Sequence, residues 1–448
     1  MSNVNSAARE SSQTYAWYVV GVLMVAYTFS FIDRQILSLM VGPIKADLGI
    51  SDTQIGLLQG LAFAIFYTAL GFPIGRMADR RSRRGIIAWG IFVWSLMTAA
   101  CGLAKSYATL FLARMGVGVG EAALSPAAYS MIADYFPKER LGTAISLYAT
   151  GIFFGASLAL IVGGAVVEAV MHQPTMTLPV VGEVFSWQAT FFIVGLPGIL
   201  VALLMITVRE PARRGAIAVG DGVAKHVPLK EVWRFGRTRW RTYLGHNIGF
   251  GLMSLVGYAL LGWVPEYLIR IWGWSRFDAG LWFGLVVLVA GVPGIVTGGW
   301  LADRYQASGR GDGAIRAGLI GSIGLLPFAI GAFLCGNPWL ALVLLGVTFF
   351  FQAMTQGVAP AALQLVTPNQ MRAQMSALWI FCANLIGLGI GPVVVGLFTD
   401  RVFADEMMLG YSLAATIAVA TPISIIVLAL TLKHFRHGTA EADAWAAG

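Results

Sequence analysis

Two neighbouring residues of opposite charge, Asp33 and Arg34, stand within YTFSFIDRQILSLMVG, an otherwise apolar run near the start of the chain. Farther on, Arg114 and Glu121 occupy a second such run, in RMGVGVGEA. An ionised side chain in hydrocarbon costs roughly 2.5–3.5 kcal/mol on insertion scales, so such groups face a bundle interior, pair with one another and mark ion or substrate paths. Two acids and two guanidinium groups supply the parts of a proton relay. A carboxylate pairs with an arginine, a proton neutralises it, and the released arginine is available to an anion.

The elements that must position these residues are membrane helices. The chain has 448 residues, of which 57% are hydrophobic and 12% charged, and a mean hydropathy of +0.74. That composition excludes an ordinary soluble domain. A helix needs about 20 apolar residues to cross the hydrocarbon. Twelve runs of that length are present, over 16–41, 54–76, 85–104, 107–134, 141–167, 187–208, 242–270, 278–301, 314–335, 338–366, 373–400 and 408–432. The polar first fifteen residues lead into a span without a small-residue cleavage pattern, so the first helix is expected to stay in the mature protein. Cys101, Cys335 and Cys382 are scattered through the spans and fit neither a disulfide framework nor a metal site.

Lys and Arg fix the expected orientation. With both termini cytoplasmic, 23 of the 30 basic residues fall on the cytoplasmic side, so the net charge of +8 is a topology signal and calls for no nucleic-acid partner. Span 1 then runs outward and span 4 inward. At about 1.5 Å of rise per residue, Asp33 and Arg114 share a depth, and Glu121 lies near the midplane about 10 Å from Arg114. Seven residues make nearly two turns, which places Arg114 and Glu121 on one helical face. This predicts that Arg114 holds Asp33 while Arg34 reaches toward Glu121 or an anionic substrate. The glycines at 116, 118 and 120 leave room beside Glu121 for a partner helix or a lipid chain.

The chain also repeats itself. GRMADRRSRR ends span 2 and GWLADR ends span 8, with Asp79 and Asp303 separated by 224 residues, half the chain. A weaker echo pairs Pro137 and Arg140 with Pro368 and Arg372. The expected organisation is a tail (1–15), an N-terminal six-helix bundle (16–208), a basic linker with an amphipathic helix (209–241), a C-terminal six-helix bundle (242–432) and a second tail (433–448). Near the membrane surface, Gly75 allows close helix approach, and Asp79 and Asp303 can meet the positive ends of helices starting near Arg372 and Arg140, forming breakable latches with Arg80, Arg83, Arg84 and Arg304 around them.

The order Gly75, Met77, Ala78, Asp79, Arg80, Arg83, Arg84 resembles the signature loop of the major facilitator superfamily, with Ser82 where that family usually has Gly. The resemblance implies an all-α membrane protein of twelve transmembrane helices, in two pseudo-symmetric six-helix bundles that rock about a central site. FIDRQILS, SDTQIGLLQGLAFAIFY, GIFVWS and GVGEAALSPAAYSMIADYFP together resemble the Spinster branch, whose animal members export sphingosine phosphate or lysophospholipids. Ala156 stands where antiporter-type members carry Pro, which argues against a drug–proton exchanger.

Function follows as an expectation: a proton-coupled secondary transporter for a lipid-like or amphipathic organic anion. The alternatives are a proton-linked carrier of small organic or sugar acids and a multidrug-type exporter. Asp33, Arg34, Arg114 and Glu121 form the expected coupling and substrate site. Gln59, Tyr67, Tyr148, His246, Asn247, Tyr258, Gln352, Gln356 and Asn384 are candidate cavity-lining residues, each also a candidate for an interhelical hydrogen bond. The stretch 382–396, with Gly387, Gly391, Pro392 and Gly396, reads as a bending and packing device. No metal-ligand spacing, no nucleophile beside a base and no phosphate-cradling loop points to an enzyme or to ATP drive. The expected setting is the plasma (inner) membrane, as a monomer among lipids, with the proton as coupling ion and no cofactor.

Overall fold

The computed structural model describes residues 2–78, 81–136, 138–179, 181–211, 229–368 and 371–447. Helices dominate: α1 (Ser2–Gln35), α2 (Val41–Leu48), α3 (Asp52–Gln59), α4 (Leu61–Ala78), α5 (Arg83–Cys101), α6 (Tyr107–Glu121), α7 (Leu124–Tyr135), α8 (Lys138–Val170), α9 (Ser186–Gly195), α10 (Pro197–Ile206), α11 (Leu229–Thr238), α12 (Trp240–Trp272), α13 (Arg276–Ala307), α14 (Gly313–Leu334), α15 (Pro338–Leu365), α16 (Arg372–Ala383), α17 (Gly391–Leu397) and α18 (Leu409–Ala447). Among the described residues, eleven stretches are long and apolar enough to cross a membrane. The twelfth expected span, 107–134, is divided into α6 and α7 by a tight turn at Ala122 and Ala123, directly after Glu121. Pro126 has no N–H to offer the Ala122 carbonyl, which is the physical reason for the interruption.

Packing divides the chain into two compact units, Met1–Met40 with Ile65–Gly222, and Val41–Ala64 with Val223–Gly448. Residues 41–64 fall within the 16–208 bundle by sequence, yet they pack in the second unit. There, a Cβ placed on Gly56 would lie 2.5 Å from the Pro392 carbonyl oxygen, so α3 and α17 touch backbone to backbone. Trp263 Nε1 donates to the same Pro392 carbonyl at 2.9 Å. The backbone on either side of α17 is π-helical, over Asn384–Ile390 and Phe398–Phe403, a wide-turn bend at the glycine-rich stretch.

In the first unit, α5 and α6 close on each other through Gly90 and Gly120. A Cβ on Gly120 would stand 2.5 Å from the Trp94 amide nitrogen. That contact fixes the last turn of α6, and with it Glu121. Between α8 and α9, strands β1 (Thr175–Leu178) and β2 (Gly182–Phe185) form an antiparallel hairpin, with Gly182 at φ 87 in the left-handed region that glycine enters without strain. Tail residues on both sides continue as helix, since α1 begins at Ser2 and α18 runs on to Ala447.

Candidate functional site

The first unit gathers the four charges in one cluster, with Asp33, Arg114 and Glu121 buried and Arg34 half-buried. Glu121 is 1% exposed and its Oε2 receives Arg34 Nε at 2.6 Å and Ser30 Oγ at 2.6 Å, with Arg34 Nη2 also in ion-pair contact. Ser30 and Arg34 are four residues apart on α1, one turn of a single face, which is why both reach the same carboxylate oxygen. The other oxygen, Glu121 Oε1, is buried without a hydrogen-bond partner among the described residues. The Arg34 guanidinium also lies 5.1 Å from the Phe31 ring centre and 4.9 Å from that of Tyr67, so its remaining surface is lined with π faces.

Arg114 is fully buried and its Nη1 donates to the main-chain carbonyl of Asp33 at 3.0 Å. The sequence reading has Arg114 holding Asp33. In the structure the hydrogen bond goes to the Asp33 backbone, and the Asp33 side chain, 1% exposed, keeps Oδ1 without a partner among the described residues. Asp33 remains within electrostatic reach of Arg114, Arg34 and Glu121. The site thus contains two buried acids, each with one bare oxygen, and two fixed cations. That arrangement can accept a proton and exchange ion-pair partners. Beside it Tyr148 is buried and stacks on Tyr27 at 4.9 Å, with Tyr129 edge-on at 5.3 Å.

Of the signature loop, residues 75–78 and 81–84 are described. Asp79 and Arg80 lie outside the described residues. Among the described residues, a Cβ on Gly75 would meet Pro126 Cβ at an ordinary 3.7 Å. Arg83 is the buried centre of the loop: its Nε donates to Glu210 Oε1 at 2.8 Å, its Nη1 to Ser130 Oγ at 3.0 Å and to Asp134, and its Nη2 to the Pro211 carbonyl at 3.1 Å. Glu210 further accepts from Ser82 Oγ and the Arg84 amide, both at 2.9 Å, while Arg84 Nη1 reaches the Val208 carbonyl at 3.3 Å. Burial alone would push the Glu210 carboxyl up, but these donors hold it below the usual carboxylate range. In the second unit, Arg372 Nε caps the end of α15 through the Thr367 and Gln364 carbonyls at 3.1 and 3.2 Å, and Arg304 lies 5.3 Å from the Trp300 ring centre. Asp303 and Arg140 are exposed.

Several of the remaining candidate lining residues serve helix packing. Gln59 Nε2 donates to the Gly262 carbonyl at 3.1 Å, Gln352 Nε2 to the Met253 carbonyl at 2.8 Å, Gln356 Nε2 to Ser254 Oγ at 3.5 Å and Asn247 Nδ2 to the Tyr243 carbonyl at 2.7 Å. His246 Nε2 lies 2.8 Å from the Ala359 carbonyl oxygen, with Trp379 edge-on at 4.9 Å. Tyr258 and Asn384 are half-buried, Asn384 opening the π-helical turn.

Sequence reasoning missed Ser30, Glu210 and a second charge cluster around Asp52. Ser30 was detectable from its four-residue spacing to Arg34, and Asp52 from its place inside the Ser51–Gln54 capping box. Glu210 carries no comparable signal, being one acid in a basic linker.

Comparison with known proteins identifies the family. The model of the Major Facilitator Superfamily matches residues 23–392. An MFS-type efflux pump of Mycolicibacterium smegmatis is 28% identical over 431 residues, covering 95% of each chain. A probable L-galactonate transporter of Escherichia coli is 25% identical over 402 residues, 87% of this chain and 84% of the relative. The crystal structure of a bacterial homologue of the human lysosomal transporter Spinster, inward-facing and unoccupied, superposes with a TM-score of 0.78 at 28% identity, over 95% of this chain and 97% of that one. This chain belongs to the Major Facilitator Superfamily, and is a Spinster-like membrane transporter, not an enzyme.

Proposed function

We propose that the chain is a proton-coupled secondary transporter with twelve membrane-spanning segments and cytoplasmic termini, moving a lipid-like or amphipathic organic anion across the plasma membrane by alternating access, as a monomer and without a cofactor. The observation that carries the reading is Glu121, buried, held through one oxygen by Arg34 and Ser30, and bare at the other. A proton on Glu121 cancels its charge and releases Arg34. An anion can then take the carboxylate's place, so proton and anion bind in concert, and loss of the proton lets Glu121 reclaim Arg34 and expel the anion. The apolar and aromatic surroundings of Arg34 favour a cargo with a charged head and a greasy body.

The likeness to an L-galactonate transporter supports a second reading, a carrier of sugar acids, and the likeness to an efflux pump a third, an exporter of amphipathic drugs. Flux in proteoliposomes under an imposed pH gradient separates them, with fluorescent lysophosphatidylglycerol, radiolabelled galactonate and ethidium as probes. The primary reading expects gradient-driven flux of the lysolipid alone, abolished by Glu121→Gln. Flux of galactonate or ethidium without the lysolipid contradicts it.

A further inference from the structure

A second basic site lies in the second unit, where the end of α11 and the first turn of α12 meet the extended end of α18. A cavity of about 300 Å³ opens there, lined by Thr238, Arg239, Trp240, Arg241 and Thr242 on one side and by His434, His437, Gly438 and Glu441 on the other. Two arginines and two histidines line a space bordered by one carboxylate, that of Glu441. That carboxylate is already engaged, since Arg239 Nε donates to Glu441 Oε2 at 2.7 Å. The pair is 23% and 52% exposed, a surface ion pair of little intrinsic worth, so an incoming anion displaces it at small cost. Arg239 is held in place by the Phe235 ring 4.0 Å away, and His437 by its Nδ1 contact with the Lys433 carbonyl at 2.8 Å. Both side chains are therefore oriented before any ligand arrives.

The surroundings indicate what the ligand carries besides negative charge. The cavity sits at the start of the membrane-spanning stretch Trp240–Trp272. Trp233, Trp240 and Leu244 are 72%, 53% and 48% exposed around it, the amphipathic aromatic and apolar surface that settles at the headgroup level of a bilayer. Lys230, Arg234 and Arg237 are exposed on α11 and add to the positive field. Guanidinium forks match phosphate oxygens in pairs. We propose that this cavity binds the phosphate-bearing headgroup of an anionic membrane lipid, with the acyl chains running along Trp240 and Leu244.

Native mass spectrometry of the full-length, detergent-purified protein tests this, with phosphatidylglycerol as the probe, phosphatidylcholine of the same chains as the uncharged-headgroup control, and glycerol phosphate as the soluble control. The proposal expects phosphatidylglycerol to be retained roughly tenfold better than phosphatidylcholine, and the Arg239→Gln, Arg241→Gln double variant to lose that preference. Glu441→Gln removes the internal competitor and is expected to strengthen retention severalfold, a gain that a misfolded protein cannot produce. Equal retention of both lipids, an unchanged preference in the arginine variant, or weaker retention in Glu441→Gln overturns the proposal. Binding of glycerol phosphate at the concentration that saturates with lipid also overturns it, by making the site one for soluble phosphate.

Discussion

Two of this transporter's buried charge clusters are built to opposite specifications. Around Asp52, in the second unit, both carboxylate oxygens are filled. Asp52 is fully buried, and its Oδ1 takes Lys45 Nζ at 2.7 Å and Arg270 Nη2 at 3.0 Å while its Oδ2 takes Arg270 Nη1 at 2.7 Å. Arg270 Nε also serves Glu266 at 3.0 Å, and Lys45 reaches the exposed Glu406 at 2.8 Å. Nearby, Asp400 caps α3 through the Thr53 amide and hydroxyl at 2.7 and 2.6 Å. Around Glu121, in the first unit, three donors crowd one oxygen while the other has none among the described residues, and Asp33 Oδ1 is likewise bare there. A saturated network resists change because any rearrangement strands a buried charge. A half-satisfied one has a vacancy that a proton can fill. Under the proposed mechanism the first arrangement holds structure and the second does work.

The sharpest way to break this contrast is to neutralise each acid in turn. Asp52→Asn removes the charge that Lys45 and Arg270 share, and roughly 3 kcal/mol of stability should go with it, read as a lowered thermal midpoint in detergent. Glu121→Gln should cost less, about 1 kcal/mol, because the released Arg34 is partly exposed and keeps the Phe31 and Tyr67 rings beside it. Equal losses in the two variants would erase the distinction. Ser30→Ala sharpens it further: removing one donor from Glu121 should cost about 1 kcal/mol, and the loss should shrink when Glu121 is already Gln, as a double-mutant cycle would record.

The smallest effect belongs to Glu210. Its carboxyl is held below the usual range in the folded protein, so the stability it contributes is present above the unfolded carboxyl's pKa of about 4.3 and is lost as pH falls through the lower folded value. Glu210→Gln should therefore flatten the acid limb of the stability profile by about 1 kcal/mol or less, while leaving neutral-pH transport unchanged. Thermal midpoints between pH 6 and pH 3 measure it, and an unaltered acid limb would show that Arg83 and the Arg84 amide gain nothing from the charge.

Much of this was written in the chain itself. Hydropathy gave the spans because a membrane helix must be apolar along its length, and the four buried charges stood out against that background. Helix rise placed Asp33 and Arg114 at one depth, but rise says nothing about azimuth or about main-chain acceptors, so the Arg114 bond to the Asp33 carbonyl was beyond it. The hairpin of 175–185 did leave a trace, the alternation Thr175, Met176, Thr177, Leu178 before Pro179, too short to compete with the helical signal around it. The grouping of 41–64 with the second unit rests on contacts such as Asp52 with Arg270, distant in sequence and without periodicity to betray them.

The central claim is that Glu121 takes up the proton when an anion claims Arg34. Its most direct test is proton uptake by the purified protein in weakly buffered detergent solution, followed with a pH indicator as lysophosphatidylglycerol is added. The account predicts close to one proton per bound lysolipid in the wild type and none in Glu121→Gln with binding retained; the same uptake in both proteins would contradict it.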